Sequence, residues 1–208
     1  MQMEKTDEED KVAMKDRTSS SELTGELSRL STFFENQLTD FYESKPSDIP
    51  GRLWESMTYS LKAGGKRIRP ILCMKACEFF DLTLEDCFPL ALGIEIIHTA
   101  SLIHDDLPCM DNDSLRRGVP TNHTVFGETL ALLAGTSLFI YGLQIPLQQL
   151  PLRGFRPERV NSAVAVLAKA AGPEGIHGGQ ILDTDILSQL DSDDFVWEIA
   201  RFKTACLI

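Results

Sequence analysis

Residues 89–113 read PLALGIEIIHTASLIHDDLPCMDND, an apolar run that ends in a cluster of carboxylates. Pro89 suits the opening of a helix, because the first turn does not need its missing N–H group. Apolar side chains then cover almost every face of that helix, at Leu90, Leu92, Ile94, Ile96, Ile97, Leu102 and Ile103. A helix that is apolar all round belongs in the middle of a bundle. The segment therefore predicts a buried central helix with an acidic mouth.

Helices with a single apolar stripe surround this segment in the sequence. Ser19 and Glu22 have the spacing of a capping box, and the stripe that follows is Leu23, Leu27, Leu30, Phe34, Leu38 and Phe41. A second helix ends at Gly64-Gly65, and a third carries Pro70 in its first turn. The same periodicity predicts helices at about 125–143, 158–171, 174–188 and 193–208. Alternating strand patterns are scarce, so we predict an all-α fold.

The composition is that of a folded soluble domain, and it limits the possible functions. The 208 residues are 43% hydrophobic and 25% charged, with a formal net charge of −11. A general nucleic-acid binder is excluded, because a phosphate-binding surface needs a net basic footprint. No apolar run of about 18 residues lacks charges or helix breakers, so we expect no membrane span. Residues 1–18 lack apolar periodicity, and we expect an acidic mobile tail before one domain over residues 19–208.

The N-terminus and the cysteines indicate a reducing compartment. Signal and transit peptides avoid acidic residues, whereas the first ten residues include Glu4, Asp7, Glu8, Glu9 and Asp10. The five cysteines form no CxxC pair, and Cys73 and Cys77 are interpreted as core packing. We therefore expect a cytoplasmic protein unless a presequence has been removed.

The carboxylates after the central helix suggest a site for a divalent cation. Pro108 disturbs the helix, so Asp105 and Asp111 can converge although six residues of an ideal helix would point them apart. Magnesium takes one or two carboxylates together with waters and substrate phosphates. An isolated cluster of this kind is more typical of a solvated acidic turn than of a metal site. A calcium loop counted from Asp111 fails, because Leu115 and Arg116 stand where it needs an oxygen ligand and a glycine.

Two basic segments accompany these carboxylates. One is GGKRIRP at residues 64–70, and the other is Arg116 and Arg117 followed by Gly118. Helix N-termini and guanidinium groups both bind phosphate oxygens. In a chain of net charge −11 such segments are local exceptions. We expect two anion sites, one held directly by Lys and Arg side chains and one held through a metal.

Together these segments resemble the all-trans isoprenyl diphosphate synthases of the farnesyl and geranylgeranyl type, in their bacterial and plastid branch. The matching stretches follow family order: GGKRIRP at 64–70, EIIHTASLIHDDLPCMDND at 95–113, RRG at 116–118, PTNHTVFGE at 120–128, GGQILD at 178–183 and KT at 203–204. The resemblance implies an isoprenoid-synthase-type helical bundle around a central apolar cavity. It also implies Mg2+ as cofactor and a homodimer, in the cytoplasm or in the plastid stroma after loss of a transit peptide.

The resemblance implies that isopentenyl diphosphate binds to four side chains: Lys66, Arg69, His98 and Arg117. A lone histidine in such a helix is by default a satisfied core residue. His98, however, precedes Asp105 by two helical turns and so lies on nearly the same face. That position favours the functional interpretation of His98.

The second implied site holds an allylic diphosphate, which is dimethylallyl, geranyl or farnesyl diphosphate. Arg116, Lys203 and Thr204 correspond to groups that hold it, and Gln180 lines the same site. Asp105 and Asp111 match magnesium ligands, and Asp106 orients or assists them. The implied catalytic residues are therefore Asp105, Asp111, Arg116 and Lys203. Metal and cations neutralise the departing diphosphate, and the isopentenyl double bond attacks the allylic cation in a dry apolar shaft.

The length of the product is expected to depend on Ala100 and Ser101, which the resemblance places at the gate of that shaft. Farnesyl-producing relatives carry an aromatic residue at the position of Ala100. Alanine leaves the shaft open, so we predict a product of about twenty carbons or longer instead of about fifteen.

One departure from the family pattern concerns the C-terminus. The family has a second Asp-rich motif downstream of the KT pair, and Ile208 comes before it, so we expect the chain to hold about the first two thirds of the domain. Activity of these 208 residues alone is then doubtful. A non-catalytic partner subunit of a longer synthase is an alternative, and the spacing of Cys73 and Cys77 resembles a contact motif of plastid relatives. A class I terpene cyclase is a further rival, but it has no use for the GGKRIRP segment.

Overall fold

The computed structural model describes the backbone of residues 3–185 and 193–208 and the side chains of residues 22–184 and 196–208. Regular structure in these ranges is helical apart from one hairpin, which confirms the predicted all-α class. Strands β1 (Leu115–Arg116) and β2 (Val119–Pro120) pair antiparallel. The helices are α1 (Met3–Glu43), α2 (Gly51–Lys62), α3 (Ile68–Phe79), α4 (Leu84–Asp105), α5 (Asn122–Phe126), α6 (Glu128–Leu152), α7 (Pro157–Ala171), α8 (Ile176–Asp185) and α9 (Asp193–Ile199).

Two helix boundaries in the core differ from those predicted. α4 begins at Leu84 and not at Pro89, because Thr83 caps it: the Thr83 hydroxyl accepts a hydrogen bond from the backbone N–H of Asp86 at 3.1 Å. α6 runs to Leu152 instead of ending near residue 143. Its apolar face still has side chains to bury there, including Leu150. The predicted position of Pro70 in the first turn of α3 is confirmed.

The first helix also differs from its predicted start. Its backbone is helical from Met3, upstream of the expected capping box at Ser19. Residues 1 and 2 of the expected tail, the side chains of residues 1–21 and residues 186–188 of the predicted 174–188 helix lie outside the described residues. The division into a tail and a domain therefore stays a prediction.

Glycines allow α4 and α6 to pack in close contact. A Cβ atom at Gly93 would lie 2.4 Å from the carbonyl oxygen of Gly142, and one at Gly135 would lie 2.4 Å from the imidazole of His104. Larger side chains at these places would force the helices apart. Around this crossing α4 buries Leu92, Ile96, Ala100 and Ile103. The central position predicted for this helix is what the structure shows.

By length and composition alone, α4 and α6 are each long and apolar enough to cross a membrane. The sequence analysis did not expect such a segment. Buried helices of globular proteins meet the same criterion, and 72% of the apolar window of α4 is buried inside this fold. The apolar character of α4 is therefore accounted for by its place in the core.

The C-terminal segment returns to α4. Ala200–Thr204 forms a π-helical turn against α8, and a Cβ atom at Gly179 would lie 2.4 Å from the backbone nitrogen of Lys203. Such turns are frequent at functional sites. Leu207 then packs in a cluster that includes Ile97 of α4. This return brings Lys203 to the acidic end of α4.

Candidate functional site

The backbone folds back on itself directly after α4. The N–H group of Asp111 donates a hydrogen bond to the carbonyl oxygen of Asp105 at 2.8 Å, and that of Met110 donates to Leu107 at 2.8 Å. Pro108 lies in the middle of this turn and has no N–H group to continue the helix. The turn brings Asp111 back beside Asp105, as the sequence analysis expected.

The carboxylate of Asp105 occupies an environment that disfavours its charge. Burial raises its pKa to about 6, the carboxylates of Asp111 and Asp106 act in the same direction, and the Lys203 ammonium opposes them. A bound cation would relieve this cost.

Magnesium fits the donor set at this end of α4. In the part of the chain that the structure describes, no group of three potential ligand side chains is close enough to hold a metal by protein atoms alone. Magnesium keeps several waters and takes the rest of its oxygens from one or two carboxylates and from substrate phosphates. Asp105 and Asp111 supply carboxylates of that kind.

The β1–β2 hairpin gives its two arginines different partners. The Arg116 guanidinium pairs with Asp106 at 2.5 Å and with Asp113 at 3.0 Å. Arg117 has a φ of +55° and donates a hydrogen bond to the carbonyl oxygen of Gly64. A Cβ atom at Gly65 would lie 2.7 Å from Nη1 of Arg117. A methyl group at residue 65 would therefore displace the Arg117 guanidinium, which is the flexible end of its side chain, from this turn.

Three guanidinium groups of the predicted sites act on His98. Burial lowers the pKa of His98 to about 3, and the charges of Arg69 and Arg117 lower it further, followed by those of Arg67 and Arg116. His98 is thus neutral at physiological pH. The charge of Arg116 also lowers the pKa of Asp105, so this guanidinium acts on both groups.

The remaining residues predicted to hold a diphosphate differ in exposure. Lys66 and Thr204 are exposed, whereas Gln180 is only 8% exposed. Within the described residues, Nε of Arg69 and both side-chain amide atoms of Gln180 are buried without a hydrogen-bond partner. Buried polar atoms without partners are costly, so they are suited to an incoming polar ligand.

Lys203 is paired with two carboxylates. Its Nζ atom lies 2.5 Å from Oδ2 of Asp183 and 3.9 Å from Oδ2 of Asp105. The KT pair and the GGQILD stretch therefore meet at the end of α4. No role was assigned from the sequence to Asp183 or to Asp113, although both lie inside the matching stretches, Asp183 three residues after Gln180 and Asp113 two residues after Asp111.

The two residues predicted to control product length lie in the C-terminal half of α4. Ala100 is fully buried in the main apolar cluster, together with Ile96 and Ile103. Ser101 is partly buried, and its hydroxyl donates to the backbone carbonyl of His98 at 2.8 Å. Ala100 therefore faces apolar side chains, whereas the polar atom of Ser101 is bound by its own helix.

Arg67 is a correction to the predicted basic cluster. GGKRIRP was expected as a whole to favour phosphate, with only Lys66 and Arg69 assigned to a diphosphate, whereas Arg67 is 3% exposed and faces the core. It pairs there with Glu95 at 2.6 Å and Glu35 at 2.7 Å. The sequence held one signal for this inward position: side chains of consecutive residues in a turn point in different directions. Neighbouring basic residues therefore cannot all face one ligand.

Comparisons with known proteins identify the family of this chain. Residues 51–208 match the family model described as polyprenyl synthetase. The chain is 49% identical over 168 residues to the chloroplastic heterodimeric geranylgeranyl pyrophosphate synthase large subunit 1 of Arabidopsis thaliana, covering 78% of this chain and 45% of that protein. It is 40% identical over 188 residues to the farnesyl diphosphate synthase of Bacillus subtilis (strain 168), covering 90% and 62%.

A solved structure gives the same answer for the fold. The geranyltransferase from Legionella pneumophila has a TM-score of 0.81 and 34% sequence identity, over 87% of this chain and 63% of that one. The chain belongs to the polyprenyl synthetase family, which confirms the resemblance stated above. It spans about half the length of the curated relatives it matches.

The first testable prediction concerns Gly65. Replacing it with alanine (Gly65→Ala) places a methyl group against the Arg117 guanidinium and imposes a side chain on a backbone with a φ of +150°. We expect about tenfold weaker binding of inorganic pyrophosphate by isothermal titration calorimetry. Gly51→Ala is the matched control, because nothing lies within 4 Å of its added methyl group. Equal affinities of the two variants would contradict the role given to Gly65.

The second prediction is a pH dependence of stability from His98. Its pKa is about 3 in the folded protein and 6.5 as the ordinary value. The unfolded chain then binds more protons, so stability is present above pH 6.5 and is lost as the pH falls. We expect the free energy of unfolding to fall by about 1 kcal/mol per pH unit over the range between these values from this residue. The free energy of unfolding is measured by urea denaturation at a series of pH values. His98→Asn lacks the titrating group, so we expect its free energy of unfolding to change less with pH than that of the wild type. The same pH dependence in both proteins would refute the assignment.

Proposed function

We propose that this protein is a magnesium-dependent prenyltransferase that condenses isopentenyl diphosphate with an allylic diphosphate to give an all-trans prenyl diphosphate. One observation carries the proposal: charge is divided along α4. Arg69 and Arg117 act on a neutral His98, the Asp105 carboxylate lies two turns further on, and Arg116 acts on both. Two diphosphates of like charge need two such sites, one cationic and one that accepts a metal.

The cationic site suits the diphosphate of isopentenyl diphosphate. Arg69 and Arg117 supply guanidinium groups, and the exposed Lys66 supplies a cation on the same turn. His98, being neutral, can donate one ring N–H to a phosphate oxygen without a change in its protonation. The buried Nε atom of Arg69 gains a partner when an anion binds.

The acidic end of α4 suits the allylic diphosphate. Asp105 and Asp111 would hold magnesium, with Asp106 fixed beside them by Arg116. Bound magnesium would supply charge neutralisation on the diphosphate oxygens as the allylic bond breaks.

The chain's own cations act on the same diphosphate. Arg116 and Lys203 donate to it, Gln180 and Thr204 line its site, and the apolar side chains of α4 keep water from the allylic cation. The four groups that touch the reacting diphosphate or its metal are then Asp105, Asp111, Arg116 and Lys203, the catalytic set of this proposal.

The proposed assembly is a dimer of this chain, in the cytoplasm or in the plastid stroma. Among the described residues α6 exposes a set of apolar side chains: Leu132, Leu133, Ile140 and Leu147. Exposed apolar patches of this kind mark protein interfaces.

A second candidate function is that of a subunit in a heteromeric synthase. It is favoured by the similarity to the Arabidopsis relative, which is named as the large subunit of a heterodimeric synthase.

The direct test is an activity assay with magnesium, isopentenyl diphosphate and radiolabelled geranyl diphosphate. We expect Asp105→Asn to lower turnover by about 100-fold or more, because the metal loses a carboxylate. Binding of isopentenyl diphosphate should be retained, since its site lies two turns away. Asp40→Asn, an exposed carboxylate on α1, is the matched control.

Two results would decide between the candidate functions. A wild-type chain that forms no labelled product with any allylic starter contradicts a self-sufficient prenyltransferase. A chain that forms no product alone but raises the turnover of an added synthase subunit identifies the partner-subunit function instead.

Product length gives a separate prediction. Ala100 has no exposed surface and packs in the main apolar cluster, so an aromatic ring at that position must displace the side chains around it. We expect Ala100→Phe to shift the product from about twenty carbons or longer to about fifteen, measured by chromatography of the dephosphorylated products. Ala91→Phe, an equally buried position on the same helix but more distant from Asp105, controls for overpacking. An unchanged product from Ala100→Phe refutes the role of Ala100.

A further inference from the structure

Arg67 has no role in the proposed binding of either diphosphate, yet it is the most strongly held residue of the basic turn. Its φ of +49° is left-handed, and it is the residue that precedes α3. Its guanidinium is buried and donates to three elements: Nη1 to Glu95 Oε1 of α4 at 2.6 Å, Nε to Glu35 Oε1 of α1 at 2.7 Å, and Nη2 to the Leu61 carbonyl of α2 at 2.8 Å.

A left-handed backbone and a buried guanidinium both destabilise the folded protein unless the surrounding residues hold them in place. A left-handed backbone at a residue with a Cβ atom persists only where the neighbouring structure determines it. A buried guanidinium likewise requires paired and hydrogen-bonded donors. Arg67 meets both conditions through partners on three different helices. The conformation of the turn is therefore set by the partners of Arg67.

The same turn carries the cations proposed to bind isopentenyl diphosphate. Lys66 precedes Arg67 and is exposed, while Arg69 follows by two residues and acts on His98. Glu95, the buried partner of Arg67, precedes His98 by one helical turn on α4. The Arg67–Glu95 ion pair thus joins the turn and the histidine, the two parts of the site that come from different segments.

Glu95 also balances the charge of the site. Burial raises its pKa, and the guanidinium groups of Arg67, Arg117 and Arg69 oppose that rise. Its side chain is 2% exposed, so solvent screens these interactions little. Glu95 therefore reduces the repulsion among cations that must stay together before a diphosphate reaches them.

We propose that Arg67 and Glu95 are positioning residues for isopentenyl diphosphate: their buried ion pair sets the turn of Lys66 and Arg69 against His98. The inference rests on the proposed function and deepens its cationic site. Neither side chain touches the substrate. Their effect is on the placement of the groups that do, and so it falls on one of the two substrates.

The experiment compares Glu95→Gln and Arg67→Lys with wild type in the full chain. Isopentenyl diphosphate alone is titrated by calorimetry, and the KM values for both substrates are measured. We expect the Kd and KM for isopentenyl diphosphate to rise about tenfold, with the KM for geranyl diphosphate and kcat within about twofold of wild type. A purely structural role would lower the active fraction and leave both KM values unchanged, and that result overturns the inference.

Two further variants keep the test decisive. Glu78→Gln removes a carboxylate that pairs with Arg29 at 2.6 Å and Lys75 at 3.2 Å, also between α1 and α3 but away from the site. It should leave every constant at the wild-type value. Should Glu95→Gln and Arg67→Lys fail to fold, Glu35→Gln replaces them, because the Glu35 side chain is 44% exposed. We expect a rise of about threefold in the Kd for isopentenyl diphosphate, and an unchanged value overturns the inference.

The failure of this inference is distinguishable from that of the proposed function. A wild-type chain that binds isopentenyl diphosphate, with variants that bind it equally well, overturns only the positioning role. A wild-type chain that binds no isopentenyl diphosphate overturns the proposed function and the positioning role with it.

Discussion

The close packing of α4 against α6 is the constraint on which the rest of the structure depends. At the Gly93–Gly142 crossing the two backbones meet with no room for a side chain, and near Gly135 the imidazole of His104 fills the corresponding space. These contacts fix both the rotation and the height of α4 in the bundle. Because Glu95, His98 and Asp105 lie on that one helix, fixing α4 fixes the spacing between the cationic and acidic parts of the site.

Burying the carboxylates at the end of α4 is electrostatically unfavourable, and charged side chains from surrounding segments reduce this cost. Burial disfavours the charge of Asp105, and both Lys203 and Arg116 lower that cost from different directions. Arg117 and Arg69 create the opposite problem around His98, where Glu95 is the compensating carboxylate. The site therefore consists of two oppositely charged halves within two helical turns, and each half is partly neutralised by a residue from a distant part of the sequence.

Local periodicity and composition were sufficient to predict the all-α class, the buried α4 and the turn that returns Asp111 to Asp105. The start of α4 was wrong because Pro89 was taken as the first turn, although Thr83 is a better cap and α4 accommodates a proline within it. The inward-facing position of Arg67 was missed because adjacent basic letters do not reveal which side chain a left-handed residue sends inward. The partners Asp183 and Glu95 depend on tertiary contacts with Lys203 and Arg67, and no local pattern reports such contacts.

The ion pairs within the site affect the free energy with which a diphosphate can bind. Arg116 is paired with Asp106 and Asp113, and Lys203 with Asp183, so a ligand must exchange one anionic partner for another instead of meeting bare cations. Such an exchange leaves the net number of charge-assisted bonds nearly constant, and the gain comes from bidentate geometry and from the metal. Arg67 differs because its own guanidinium is only 1% exposed and its partner Glu95 is 2% exposed, so a ligand cannot reach this pair even though its other partner, Glu35, is 44% exposed. This difference separates the cations that can change partners from the one that holds the turn in place.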